Sequence, residues 1–213
     1  MPRKETLTDK VHDGILEMII QTTQEEIVLN ESKLVEHFGV SKAPVREALV
    51  RLCSEGVLKI IPRYGYVVVN LTPKDEQDVI NMRIFLETQA LQENFCQLMK
   101  TRLCVLKEQI DRSVTGGDVT VWEMLKLNEE FHLLLASCGE NRVLVRFLSE
   151  SLQIQKRIYA KNWWRNKQSM QIKIEAVPHL AIYRALCDGD LERCLEVLKQ
   201  DIQMDQLSMG SGK

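Results

Sequence analysis

The sequence predicts a mainly α-helical chain: an N-terminal winged helix-turn-helix with a small β-hairpin wing, followed by an antiparallel bundle of about six helices. Three observations carry this. Two short helical patterns flank Gly39-Val40-Ser41, the spacing of a helix-turn-helix. Two β-branched runs, LKII and YVVV, then enclose the turn Pro62-Arg63-Tyr64-Gly65. Beyond residue 70 every periodic stretch repeats at 3.6 residues.

The first helix starts at Thr6-x-x-Asp9 and carries Val11, Ile15, Met18 and Ile19 at helical spacing. The polar TTQEE follows. Asn30 caps a second helix with Leu34, Val35 and Phe38 on its apolar face, and Gly39 closes it. Ser41 caps a third, in which Val45, Ala48, Leu49 and Leu52 face inward and Gly56 marks the end. Pro44 falls in its first turn, where a missing N–H does no harm.

Thr72-Pro73-Lys74-Asp75-Glu76 is a helix start: a cap, a proline at the first position and acids at the positive end of the helix dipole. The bundle helices are expected near 73–98, 101–115, 119–137, 141–165, 168–187 and 190–207, with breaks at Gly116-Gly117, Cys138-Gly139 and Gly189. The predicted domains are therefore 1–71 and 72–208, with 209–213 a flexible tail.

Composition narrows the function. Of the 213 residues 45% are hydrophobic and 27% charged, which suits a globular protein rather than a disordered one. No apolar run approaches the ~20 residues that span a bilayer. The N-terminus MPRKETLTDK is polar, so no secretory signal is expected and the expected location is cytoplasmic. Six scattered cysteines include no CxxC pair, and reduced thiols packed as small hydrophobes are expected. Net charge is −2, yet Lys42, Arg46, Arg51, Lys59 and Arg63 against Glu47 and Glu55 leave +3 between Val40 and Tyr66. A local basic face on an acidic chain suits nucleic-acid recognition by one part only.

A recognition helix packs its inner face on the domain and offers the start of its outer face to the major groove. With 45, 48, 49 and 52 committed inward, Ser41, Lys42 and Arg46 remain outside. Arg46 has the planar fork that pairs with guanine O6 and N7. Lys42 and the Ser41 hydroxyl suit phosphate. Arg63 and Gly65 stand at the wing tip.

These residues bring a resemblance. GVSKAPVREALVRLCSEGVL followed by IPRYGYVVV closely resembles the GntR family of bacterial winged helix-turn-helix regulators. It implies that Ser41, Lys42, Arg46, Arg63 and Gly65 lie at the DNA. Lys42 replaces the family's usual arginine, and TTQEEIVLNE replaces its customary Pro-Gly.

The rest resembles the FadR-like branch, whose helical C-terminal domain binds small carboxylates: MRIFLETQAL carries its R-x-x-x-E as Arg83 and Glu87, and FHLLLASCGEN and HLAIYRALCDGD match its later segments. Similar domains hold a divalent metal through an Asp and a His one turn apart and two more His. Mapped here, those positions are Asn128, His132, His179 and Asp201, so Asn replaces Asp and Asp replaces His. Two imidazoles, a carboxylate and an amide oxygen still suit Zn, Ni or Mn. Alternatively, Asn128 and Asp201 hydrogen-bond the effector directly, without metal.

Arg83 is the expected partner of the effector's carboxylate, against the plainer reading of an intrahelical pair with Glu87. His12 and His37 are expected to be exposed polar residues. The resemblance and the half-site logic of such readers imply a homodimer on an operator.

Two other classes fit the sequence less well. A di-metal helical-bundle enzyme needs Glu-x-x-His on two helices, and only Glu129-x-x-His132 supplies it. No Gly-rich phosphate loop or G-x-S-x-G turn is present, so enzyme activity is not expected. An effector-free interaction module would leave His132, His179, Arg83 and Asp201 without a purpose.

Overall fold

The computed structural model describes residues 6–22, 27–115, 121–165 and 177–207. They fall into two compact units that divide between Thr72 and Pro73. The Gly116-Gly117 break, most of TTQEE, the expected helical residues 168–176 and the tail lie outside the described residues.

The first unit begins with α1 (Leu7–Gln21). Thr6 and Asp9 form a full capping box, each side chain accepting from the other's backbone N–H. Then come β1 (Val28–Leu29), α2 (Glu31–Phe38) and α3 (Lys42–Ser54). The Asn30 side chain accepts from the amides of Ser32 and Lys33. Gly39 ends α2 in the left-handed conformation, with φ 62°. The four inward residues of α3 (Val45, Ala48, Leu49 and Leu52) are fully buried against Val11, Ile15 and Ile19 of α1 and Leu34 of α2. Ser41 occupies the cap position of α3, but its side chain makes no capping bond.

The wing is larger than the expected hairpin. β2 (Leu58–Ile61) and β3 (Gly65–Val68) pair antiparallel, and β1 adds to the free edge of β3, Val28 opposite Val67. A two-residue strand is too short for the alternation of polar and apolar residues to reveal it.

The second unit contains, among the described residues, α4 (Pro73–Thr101), α5 (Leu103–Thr115), α6 (Val121–Ala136), α7 (Arg142–Arg165), α8 (Val177–Asp188) and α9 (Leu191–Leu207). One core gathers Leu91, Leu98, Leu106, Phe131, Ile182, Leu186 and Leu198 from α4, α5, α6, α8 and α9. A smaller seam joins α4 to α7 through Leu86, Ala90, Leu144, Leu148 and Leu152. Gly139, in the turn before α7, lies so close to Asn94 of α4 that a Cβ there would sit 2.4 Å from Asn94 Oδ1. A side chain here would require the Asn94 amide to move aside.

The cysteines divide. Cys138 and Cys194 are buried as expected, whereas Cys96, Cys104 and Cys187 are exposed. These three face outward on amphipathic helices, so the packing expectation fails for them.

Candidate functional site

Two places collect the residues singled out by sequence, one in each unit. In the first unit Ser41, Lys42 and Arg46 are all exposed on the start of α3. Because the Ser41 hydroxyl is not used in capping, it remains available to an outside acceptor or donor. Among the described residues Lys42 and Arg46 have no ion pair, whereas Arg51, on the same helix, is held by Asp9 at 3.0 Å and Glu55 at 2.9 Å. The basic face is therefore narrower than the sequence count implies: Arg51 is neutralised inside the unit.

Arg63 is exposed at the wing turn with φ 66°, the only described non-glycine residue in the left-handed region. A guanidinium is thus presented on a backbone conformation that costs free energy. Gly65 has φ 123°, and a Cβ there would lie 3.0 Å from the Leu29 carbonyl of β1. Its glycine is required by the sheet itself.

His12 corrects its expectation. It is buried, with Nδ1 2.8 Å from Asp13 and Nε2 2.7 Å from Glu55, so both ring nitrogens are engaged. Burial opposes its charge, but the bonds to Asp13 and Glu55 outweigh that and push its pKa up to about 9. His37 is exposed.

In the bundle, α6 supplies His132, α8 His179 and α9 Asp201, all buried, with ligating atoms within 4.8 Å of one another. Asp201 Oδ2 is 3.3 Å from His132 Nε2 and 3.7 Å from His179 Nε2. The first distance allows a charge pair, yet the two atoms are not aligned for a hydrogen bond: both are buried without a hydrogen-bond partner. The His179 ring stacks on Phe131, centroids 3.8 Å apart at 14°. Asn128 is half-buried one turn before His132 on α6.

His132 is aimed from behind. Glu87 Oε2 lies 2.6 Å from its Nδ1, and Glu87 Oε1 accepts from Arg83 Nε at 2.7 Å. Arg83 also donates to Gln155 of α7. A carboxylate on Nδ1 fixes the ring and turns Nε2 toward Asp201 and His179. Burial disfavours charge on His132, but Glu87 and Asp201 overcome it and raise its pKa to about 9. His179 goes the other way: burial drives it down to about 4, against the pull of Asp201 and with the repulsion of His132 and Arg83.

Arg83 is fully buried, and its intrahelical pair with Glu87 is present, although buried rather than exposed. The roles of Glu87 toward His132 and of Gln155 toward Arg83 were not read from sequence. A signal existed: both fall on stripes that are otherwise apolar, beside Leu86 and Ala90 on α4 and Leu148 and Leu152 on α7.

Arg83, Glu87, Gln155, His132, His179 and Asp201 form a buried polar core around two unbonded donor atoms. Two imidazoles and a carboxylate are a donor set for borderline divalent metals, and the orphaned atoms fit that role.

Comparison with known proteins identifies the units. Residues 7–68 match the model of bacterial regulatory proteins of the gntR family, and residues 78–204 match the FCD domain. The Nta operon transcriptional regulator of Aminobacter aminovorans is 30% identical over 178 residues, covering 82% of this chain and 80% of that one. The gluconate operon transcriptional repressor of Bacillus subtilis is 41% identical over 61 residues, 29% of this chain and 25% of that one. The structure of E. coli McbR/YncC matches 96% of this chain and 97% of its own at a TM-score of 0.69 and 20% identity, a likeness of fold. The chain belongs to the GntR family and is a DNA-binding transcription regulator with a C-terminal FCD domain.

Proposed function

We propose that this regulator is controlled by a small carboxylate or sugar acid bound in its bundle beside a divalent cation, Zn, Ni or Mn. The observation that carries the reading is the pair of buried, unbonded atoms His132 Nε2 and Asp201 Oδ2 facing the His179 ring. His132, His179 and Asp201 hold the cation, and Asn128 offers a fourth oxygen. A bound cation supplies a fixed positive charge to which an acid can attach.

Arg83 joins the site through its charge. The guanidinium lowers the Asp201 carboxyl and disfavours protonation of both histidines, so its positive field extends over all three. Glu87 offsets that field at both histidines, so the cation supplies the main attraction for an anionic ligand. Glu87 serves as the orienting carboxylate of His132.

In the first unit, Ser41 and Lys42 grip phosphate, Arg46 reads a base in the major groove, and Arg63 meets the backbone or minor groove from the wing. Gly65 allows the wing to approach. Two copies place two reading heads on an operator, and effector binding changes their spacing. Residues 1–71 do the reading and 72–208 the sensing and pairing. A cytoplasmic location fits this work; among the described residues no helix is long and apolar enough to cross a membrane.

Thermal-shift titration tests the sensing half. The metal-loaded protein is screened with organic and sugar acids. The best ligand, at ~100 times its dissociation constant, should add ~2.7 kcal/mol of stability. Operator affinity should change in parallel. A shift that survives complete metal removal would mean that Asn128 and Asp201 bond the acid directly. No shift with any acid would reject effector control.

A further inference from the structure

The outer face of α3 carries a hydrophobic side chain that the core does not account for. Val50 is 55% exposed in the interior of the helix. At ~100° per residue it stands roughly 160° around the helix from the fully buried Leu52, so it points away from the core. A β-branched residue gains nothing for helix stability in such a place.

The polar residues around Val50 are sorted onto two flanks. On one, Glu47 accepts from the Thr8 hydroxyl of α1 at 2.9 Å, and Arg51 is held by Asp9 of α1 and by Glu55. Contacts with α1 and the helix end therefore engage the acid of this face and its last cation. Lys42 and Arg46 stand exposed on the other flank. Val50 lies between the flanks, one turn beyond Arg46 (i, i+4). The strip left open along α3 thus runs Lys42, Arg46, Val50, two cations and then an apolar end.

Chemistry selects the occupant of that end. Phosphate and sugar present charge and oxygen, which an isopropyl group cannot use. Among the base edges of the major groove, thymine presents an apolar group, its C5 methyl. We propose that Val50 is a specificity-determining residue that packs on a thymine methyl of the operator. The proposal rests on the reading above, in which α3 lies in the major groove with Arg46 on a base. Four residues of helix advance about 6 Å. Successive bases are about 3.4 Å apart along the duplex. The thymine therefore lies about two base pairs from the base that Arg46 reads, once in each half-site.

Thymine-to-uracil replacement tests this, because uracil keeps every hydrogen-bonding group and lacks only the methyl. The probe is the duplex that the wild-type chain enriches from a random-sequence pool, remade with deoxyuridine at one symmetric pair of thymines at a time. At one pair, wild-type binding should weaken by about fourfold per methyl. Val50→Ala should bind the thymine duplex as weakly as wild type binds that uracil duplex, and should be indifferent to the replacement. Alanine favours the helix more than valine does, so an exposed Val50→Ala change keeps the fold. Arg46→Ala should weaken binding yet keep the methyl effect. A wild type indifferent to uracil at every pair would overturn the proposal, as would a Val50→Ala protein that keeps the full methyl effect. In either case weakening by Arg46→Ala leaves the groove reading intact. An Arg46→Ala protein with wild-type affinity and preference would overturn that reading and the proposal together.

Discussion

His12 and His132 are each buried between two carboxylates, one in each unit, yet they have opposite chemistry. In His12 both ring nitrogens are engaged at hydrogen-bond distance, by Asp13 and Glu55, and the group is closed. In His132 only Nδ1 is engaged; Nε2 points at Asp201 without an aligned bond, with a second, neutral imidazole beside it. A saturated histidine ties helices together. An unsaturated one is a place for a ligand. Burial and acidic neighbours are common to both histidines; the bonds made by each nitrogen are what differ, and on the proposed reading they separate a structural histidine from a ligand.

Substitution should break the comparison cleanly. His132→Ala, His179→Ala or Asp201→Ala should abolish metal binding measured by calorimetry, whereas His12→Ala should leave it intact. Metal binding that survives His132→Ala would move the site elsewhere.

Next in size is the pH response of the DNA-binding unit. The His12 pKa is raised from 6.5 to about 9 on folding. A raised pKa means that the stabilisation is complete below 6.5 and is lost as pH rises through about 9. The loss should amount to at most about 3.4 kcal/mol, at 1.36 kcal/mol for each pH unit between 6.5 and 9. The unfolding midpoint of the first unit should fall between pH 7 and 10, and His12→Gln should flatten that fall. A wild-type curve that is flat over this range would contradict the assignment.

Arg46→Ala should cost ~1–3 kcal/mol of operator affinity and relax preference at one base pair. Lys42→Ala should instead weaken all sequences alike and flatten the salt dependence. A binding selection on random DNA distinguishes these outcomes.

The smallest expected effect is at Asn128. An amide oxygen is a weaker ligand than a carboxylate, so Asn128→Asp should tighten metal binding by about tenfold, the scale on which groups around a metal tune it. Unchanged affinity would take Asn128 out of the site.

The same contrast explains what the sequence made legible. The caps at Thr6 and Asn30, the left-handed Gly39 and the inward stripe of α3 are local, encoded within a few residues, and could be read directly. The gntR match confirms the family that this stretch suggested. Contacts between distant residues are a different matter. Glu87 reaches His132 across 45 positions and His12 reaches Glu55 across 43; the apolar stripe marks Glu87 as buried, but nothing local names the partner in either pair. The edge strand β1 was missed for the same reason: its partner Val67 lies far along the chain from Val28. Arg83 and its i, i+4 pairing with Glu87 are legible locally, but its burial and its bond to Gln155 emerge only when α4 and α7 come together.

The central claim is that the open histidine of the bundle belongs to a metal centre. Elemental analysis of protein purified without chelator or a nickel column tests it most directly. About one divalent ion of zinc, nickel or manganese per chain is expected, lost in the His132→Ala protein. A content near zero, unchanged after incubation with each of the three metals, would contradict the claim.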